Sequence, residues 1–177
     1  MPRGYSKILV TGGAGFIGSH IVDRLLTDGF EVTVMDNLST GLLENIASHQ
    51  NRKSFHFIQG DIRNLDLVNK TLPDVDAVFH GAALIEIARS VEDPLLTNEV
   101  NVTGTLSLLK ACLDSSVKRF IFPSSAAVYG KTEVLPVRES LVSQPISPYG
   151  VSKLAAENYC RVFCEVYGLE TVCLRYF

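Results

Sequence analysis

Gly12, Gly15 and Gly18 recur every third residue directly after the apolar run Ile8-Leu9-Val10, and they lead into Ile17, Ile21 and Leu25, which recur every fourth. A continuous apolar run suits a strand covered on both faces, and a four-residue period suits a helix with one buried face. Strand, glycine turn and helix in that order bring bare backbone and the first free amides of a helix to one place. A pyrophosphate fits there, because no side chain blocks its approach and the helix N–H groups point at it. The competing reading is a turn that only packs a strand tightly on its helix. What favours the ligand is the next strand, Glu31 to Met35, which closes on Asp36. A carboxylate at that position accepts from both hydroxyls of a ribose and repels a 2′-phosphate. The expected cofactor is therefore NAD rather than NADP, and no Arg lies within Asn37 to Gly41 to argue otherwise.

The alternation continues. A short helical stretch near Leu42 to His49 precedes a third strand, in which Phe55 and Phe57 alternate and which ends at Gly60-Asp61. A helix near Asn64 to Leu72 leads to a fourth strand, Ala77 to His80. A long helix from Pro94 to Leu113 carries the stripe Leu106, Leu109 and Leu113. The fifth strand is Phe120 to Phe122, a helix runs from Tyr149 to Gly168, and Thr171 to Tyr176 reads as the sixth strand. Each parallel crossover needs a covering helix, so this order predicts an α/β fold: a doubly wound parallel sheet of Rossmann type with helices on both faces.

The 177 residues, 46% hydrophobic and 20% charged, suffice for one real core and leave no room for a second complete domain. A net charge of −3 offers no basic field for nucleic acid or an anionic membrane, so a phosphate-bearing ligand must be held locally. No apolar run approaches the roughly 18 residues of a membrane span, and Met1 to Lys7 lacks the apolar stretch of a signal peptide. A cytoplasmic location is expected. Cys112, Cys160, Cys164 and Cys173 form no CxxC and have no His at ligand spacing, which predicts reduced, mostly buried thiols and no metal site.

Tyr149 and Lys153 stand four positions apart, one helical turn that sets a phenol beside an ammonium. A free phenol titrates near pH 10, so acting as a base near neutrality requires favouring its anion by roughly 3 units, about 4 kcal/mol. A neighbouring cation supplies part of that. Ser124-Ser125 precedes the same helix at the end of strand five. Asp61 follows strand three at the edge where an adenine would lie, with Ile62 placed to pack on the ring, and a plain turn residue is the alternative. After strand four the small residues Gly81, Ala82 and Ala83 permit close approach of a cofactor, whereas His80 reads as a satisfied structural histidine. Asn101, inside the long helix, either bonds a loop beside the site or faces solvent.

In sequence order, Thr11 to Gly18, Asp36-Asn37-Leu38-Ser39-Thr40-Gly41, Gly60-Asp61-Ile62, His80 to Ala83, Ser90-Val91-Glu92-Asp93-Pro94, Asn101-Val102-Thr103-Gly104-Thr105, Ser124 to Gly130 and Tyr149 to Lys153 resemble the blocks of the extended short-chain dehydrogenase/reductases, specifically their NAD-dependent nucleotide-sugar epimerase/dehydratase branch. The resemblance covers the whole chain. It implies Ser125, rather than Ser124, as the catalytic hydroxyl, Tyr149 as the base, and Lys153 as its partner and a holder of the nicotinamide ribose. It implies cofactor contacts from Gly12, Gly15, Phe16, Ile17, Gly18, Asp36, Asn37, Ser39, Thr40, Gly41, Asp61, Ile62, Gly81, Ala82, Ala83 and Asn101, besides Tyr149 and Lys153.

Relatives that eliminate water carry acids just after the catalytic serine, where this chain has Ala126 and Ala127. The resemblance is therefore nearest to UDP-glucose 4-epimerase-like members acting on UDP-hexoses through a 4-keto sugar, with hydride passing to and from NAD. Two departures stand out. Glu86-Ile87 replaces the Ser-Val common in relatives, which sets a carboxylate either near the sugar pocket or on a surface loop. Relatives also continue past the sixth strand into a smaller substrate-gripping domain, so the chain is expected to be the cofactor half, binding NAD without full activity. A non-catalytic NAD-binding module is the reading from another class. The resemblance further implies a homodimer through the long helix and the Tyr149 helix.

Overall fold

In the computed structural model the protein is described over residues 4–133 and 135–177; Met1 to Arg3, part of the segment read for a leader peptide, lie outside them. The strands are β1 (Lys7–Thr11), β2 (Glu31–Asp36), β3 (Phe55–Gln59), β4 (Ala77–His80), β5 (Arg119–Ser125) and β6 (Glu170–Tyr176). The helices are α1 (Phe16–Thr27), α2 (Leu65–Thr71), α3 (Ile87–Glu92), α4 (Pro94–Asn98), α5 (Thr105–Asp114) and α6 (Pro148–Tyr167). All pairings are parallel and the strand order is β3-β2-β1-β4-β5-β6. This is the expected doubly wound sheet. The order reverses between β1 and β4, so a crevice opens at the carboxyl ends of the strands there.

Alternate strand residues feed two cores. Leu9, Val78, Phe120 and Phe122 pack with Leu108, Leu109, Cys160 and Phe163 from α5 and α6. Val10, Val32, Val34 and Phe79 pack with Val22 and Leu26 from α1 on the opposite face. The α1 helix ends where the sequence suggests, with Gly29 at φ 88° just beyond it.

Between Pro94 and Leu113 the structure differs from the uniform helix expected. The run divides into α4, a π-helical segment Glu99–Gly104 and α5. The π segment widens the turn around Asn101, and side-chain periodicity does not report that change of hydrogen-bond register. The short α3 has no counterpart in the sequence reading, because Ser90 is its one buried residue. The thiols also need correction: Cys112 and Cys160 are buried, but Cys164 and Cys173 are exposed. Cys164 lies one turn beyond Cys160 on α6, and Cys173 sits on the edge strand β6. Among the described residues no helix is long and apolar enough to cross a membrane.

Candidate active site

The turn after β1 is shaped by two close approaches. Gly12 has φ 69°, and a Cβ there would come within 2.6 Å of the Ala82 amide nitrogen; a Cβ on Gly18 would run into the Gly12 carbonyl. Backbone therefore packs on backbone where β1, α1 and the loop after β4 meet, leaving the turn bare on its outer side. Asp36, at the end of β2, is 7% exposed. Its Oδ2 accepts from the Ala14 amide at 3.0 Å and its Oδ1 from the Leu38 amide at 2.8 Å. A carboxylate has about four lone-pair sites, so capacity remains for a ligand hydroxyl. Leu38 is held in the left-handed region, φ 59°, in the same loop.

Asp61 accepts from Asn37 Nδ2 and from Arg63 Nη2, both at 2.9 Å, and Arg63 continues to Glu99 at 3.0 Å. The Arg63 guanidinium holds the Asp61 carboxyl well below the usual carboxylate range. His80 has both ring nitrogens engaged. Thr105 Oγ1 donates to the Asn101 carbonyl at 2.6 Å, so it accepts from His80 Nε2 at 2.9 Å, and Nδ1 accepts from Thr11 Oγ1 at 2.7 Å. Burial, and then the charge of Lys153, pull the imidazole down to about 3. It is the neutral, structural histidine the sequence suggests.

Ser125 ends β5 and begins a 3₁₀ turn, Ala126–Tyr129. Its Oγ accepts from the Ala127 amide at 3.1 Å, which leaves its proton for Tyr149. Ser147 caps α6 by accepting from the Gly150 amide at 3.1 Å, and Pro148 stands in the first turn. Tyr149 thereby enters the first turn and Lys153 the next. Lys153 is 4% exposed, and its Nζ donates to the Pro123 carbonyl at 2.8 Å. That Nζ lies 4.7 Å from the centre of the Phe122 ring and 5.9 Å from that of Tyr149. Burial lowers Lys153 to about 8. The Tyr149 phenol is pushed up by burial and pulled back by its hydrogen bond with Ser125. Desolvation thus works against the anion that a base needs, and Ser125 returns part of it.

One cleft of about 920 Å³ runs from the glycine turn to these side chains, within the range of small-molecule sites. Every residue assigned above to cofactor or chemistry lines it except Asn101. Asn101 is buried with its amide consumed: Oδ1 accepts from Leu84 N, and Nδ2 donates to Leu84 O and Ser152 Oγ. It bonds the loop after β4 rather than lining the cleft. Glu86 is exposed and outside the lining, whereas Ile85, Ile87 and Arg89 form part of the wall. Sequence reasoning missed Arg63, Arg89, Tyr176 and Phe177 as lining residues. Tyr176 carried a signal, since it stands at the carboxyl end of a strand, the side of the sheet on which such crevices open.

A glycine turn at the switch point, an acid ending β2 and a Ser–Tyr–Lys set across the same crevice agree with a comparison of sequences, in which the NAD dependent epimerase/dehydratase family matches residues 8–177. The chain belongs to that family. Its cofactor is accordingly NAD. A UDP-glucose 4-epimerase of Halalkalibacterium halodurans is 44% identical over 172 residues, 96% of this chain and 50% of the relative. A UDP-N-acetylglucosamine 4-epimerase from Methanobrevibacter ruminantium, solved with UDP-N-acetylmuramic acid, has a TM-score of 0.93 at 44% identity over 98% of this chain and 55% of that one. A dTDP-glucose 4,6-dehydratase, DesIV of Streptomyces venezuelae, solved with NAD, has a TM-score of 0.91 at 37% identity, covering 96% and 55%. The chain spans about half the length of the curated relatives it matches.

Proposed function

We propose that the protein is a nucleotide-sugar 4-epimerase of UDP-glucose/UDP-galactose type, and that this chain carries its NAD site and its reacting side chains. The supporting observation is the reacting end of the cleft: Ser125, Tyr149 and Lys153 converge there, and the residues after Ser125 that line it are Ala126 and Ala127. An elimination needs an acid and a base beyond the tyrosine, and alanines offer neither. The cleft fits NAD, with bare backbone at Gly12, Gly15 and Gly18 for the pyrophosphate and Asp36 with spare acceptor capacity for a ribose.

When bound, NAD would supply an acceptor for the hydride of the sugar C4. Tyr149 takes the proton of the 4-hydroxyl, Ser125 donates to the phenolate oxygen, and the Ala127 amide supports Ser125 from behind. Lys153 would hold the nicotinamide ribose, and it places a buried cation near Tyr149, which favours its anion. A 4-keto sugar results, and re-reduction on its other face inverts C4. Relatives hold about as much chain again as these 177 residues, so full turnover is proposed for the protein at that length and NAD binding for this chain. The test is incubation with NAD and UDP-glucose, UDP-galactose or dTDP-glucose, read by proton NMR. Interconversion of the C4 epimers supports the reading. A 4-keto-6-deoxy sugar would replace it with a dehydratase, and NAD binding without turnover at either length would select a non-catalytic module.

A further inference from the structure

Tyr149's own peptide group is held from both sides by hydroxyls with no part in the proposed chemistry. In the first turn of α6, Pro148 has no N–H, Gly150 donates to Ser147 Oγ at 3.1 Å and Val151 donates to the Ser147 carbonyl at 2.9 Å. The Tyr149 amide instead donates outside its helix, to Ser90 Oγ on α3 at 3.2 Å. Ser90 Oγ gives its own proton to the Ile87 carbonyl at 2.7 Å, so the hydroxyl is fixed in the orientation that accepts. On the other side, Ser152 Oγ donates to the Tyr149 carbonyl at 2.7 Å and accepts from Asn101 Nδ2 at 3.0 Å. Asn101 in turn grips both polar backbone atoms of Leu84 at 2.8 Å. Ser90, Asn101 and Ser152 are each no more than 3% exposed, so water does not compete for these bonds.

The two connections end on residues 84 and 90, and between them lie Ile85, Ile87 and Arg89, which line the cleft. A stretch of wall is thus tied at both ends to the peptide that carries the proposed base. We propose that Ser90 and Ser152 are positioning residues that fix Tyr149 and, one turn on, Lys153 relative to the cleft wall 84–90. The proposal rests on the NAD reading of the cleft. Sub-ångström placement of these two side chains decides whether they meet the far end of the cofactor, and ordinary helix capping would not require a hydroxyl from another element.

Calorimetric titration with NAD and with ADP separates positioning from mere support. ADP occupies the glycine turn and Asp36, whereas NAD also reaches Tyr149 and Lys153. Ser90→Ala and Ser152→Ala should each weaken NAD about 3- to 10-fold, the effect of one hydrogen bond, while ADP stays within about twofold. Melting by circular dichroism checks folding, and Ser90→Cys or Ser152→Cys, of similar size but poorer at hydrogen bonding, replaces any alanine variant that fails to fold and should move NAD in the same direction. Equal losses for NAD and ADP, or a lowered melting temperature with both affinities intact, would overturn the proposal. Wild-type protein that binds ADP but not NAD more tightly would overturn the function reading instead.

Discussion

Asn101 and Leu84 are joined by two 2.8 Å hydrogen bonds that mimic a strand pairing, one side-chain amide satisfying one residue's N–H and C=O. The π segment around Asn101 sets this geometry at the end of β4, where the cleft begins. Asn101→Ala leaves both Leu84 groups and Ser152 without that partner. Stability to urea should fall by about 2 to 4 kcal/mol: an unpaired group costs about 1 to 3 when fully buried, and the two Leu84 groups are only part-buried, so their share is at the low end. A loss below about 0.5 kcal/mol, the size of an ordinary surface substitution, would contradict the role.

Sheet and glycine turn were legible because both depend on local pattern: apolar runs such as Ile8-Leu9-Val10, and missing side chains at fixed spacing. The placement of Asp36, Ser125, Tyr149 and Lys153 in one cleft was legible through motif order. The role of Asn101 was not, since a polar residue in a helix reads the same whether it bonds a loop or water. Arg89 and Phe177 reach the cleft only through tertiary placement, and α3 buries too little to leave a period. The burial of the Tyr149 phenol was not legible for a related reason: sequence spacing reports the neighbouring cation but not the desolvation that opposes the anion.

His80 should make the protein acid-sensitive in a defined window. Its native value of about 3 lies below the unfolded 6.5, so between them the unfolded chain binds a proton that the native state refuses. Stability is present above pH 6.5 and is lost as pH falls toward 3. His80→Gln removes this titration while keeping a donor and an acceptor. Urea unfolding above about pH 5, clear of most carboxylates, should give a flatter pH slope for the variant. Equal slopes would contradict the neutral buried imidazole.

Asp36 should decide between cofactors. Wild-type protein is expected to bind NAD at least about tenfold more tightly than NADP, because the carboxylate accepts from the ribose and repels a 2′-phosphate. Asp36→Ala should narrow the ratio, mostly by weakening NAD. Tighter NADP binding to the wild type, measured by calorimetry, would refute the assignment.

At the level of assembly, a homodimer through α6 is expected. Val151, Tyr159, Val162 and Val166 are exposed by 37 to 66% and share one face of that helix. No large apolar residue of α5 is equally exposed, so α6 supplies the sticky surface. Light scattering should give twice the chain mass, and Val162→Glu with Val166→Glu should give the monomer. A wild-type monomer at high concentration would exclude this interface for the chain.

The central claim is that one cleft joins the glycine turn to Ser125, Tyr149 and Lys153 and holds NAD along its length. A crystal structure of this chain grown with NAD tests it most directly. The predicted result places the pyrophosphate on the turn at Gly12 to Gly18, the adenine ribose on Asp36, and the nicotinamide ribose within hydrogen-bond reach of Tyr149 and Lys153. NAD bound elsewhere, or reversed so that adenine lies against Tyr149, would contradict the account.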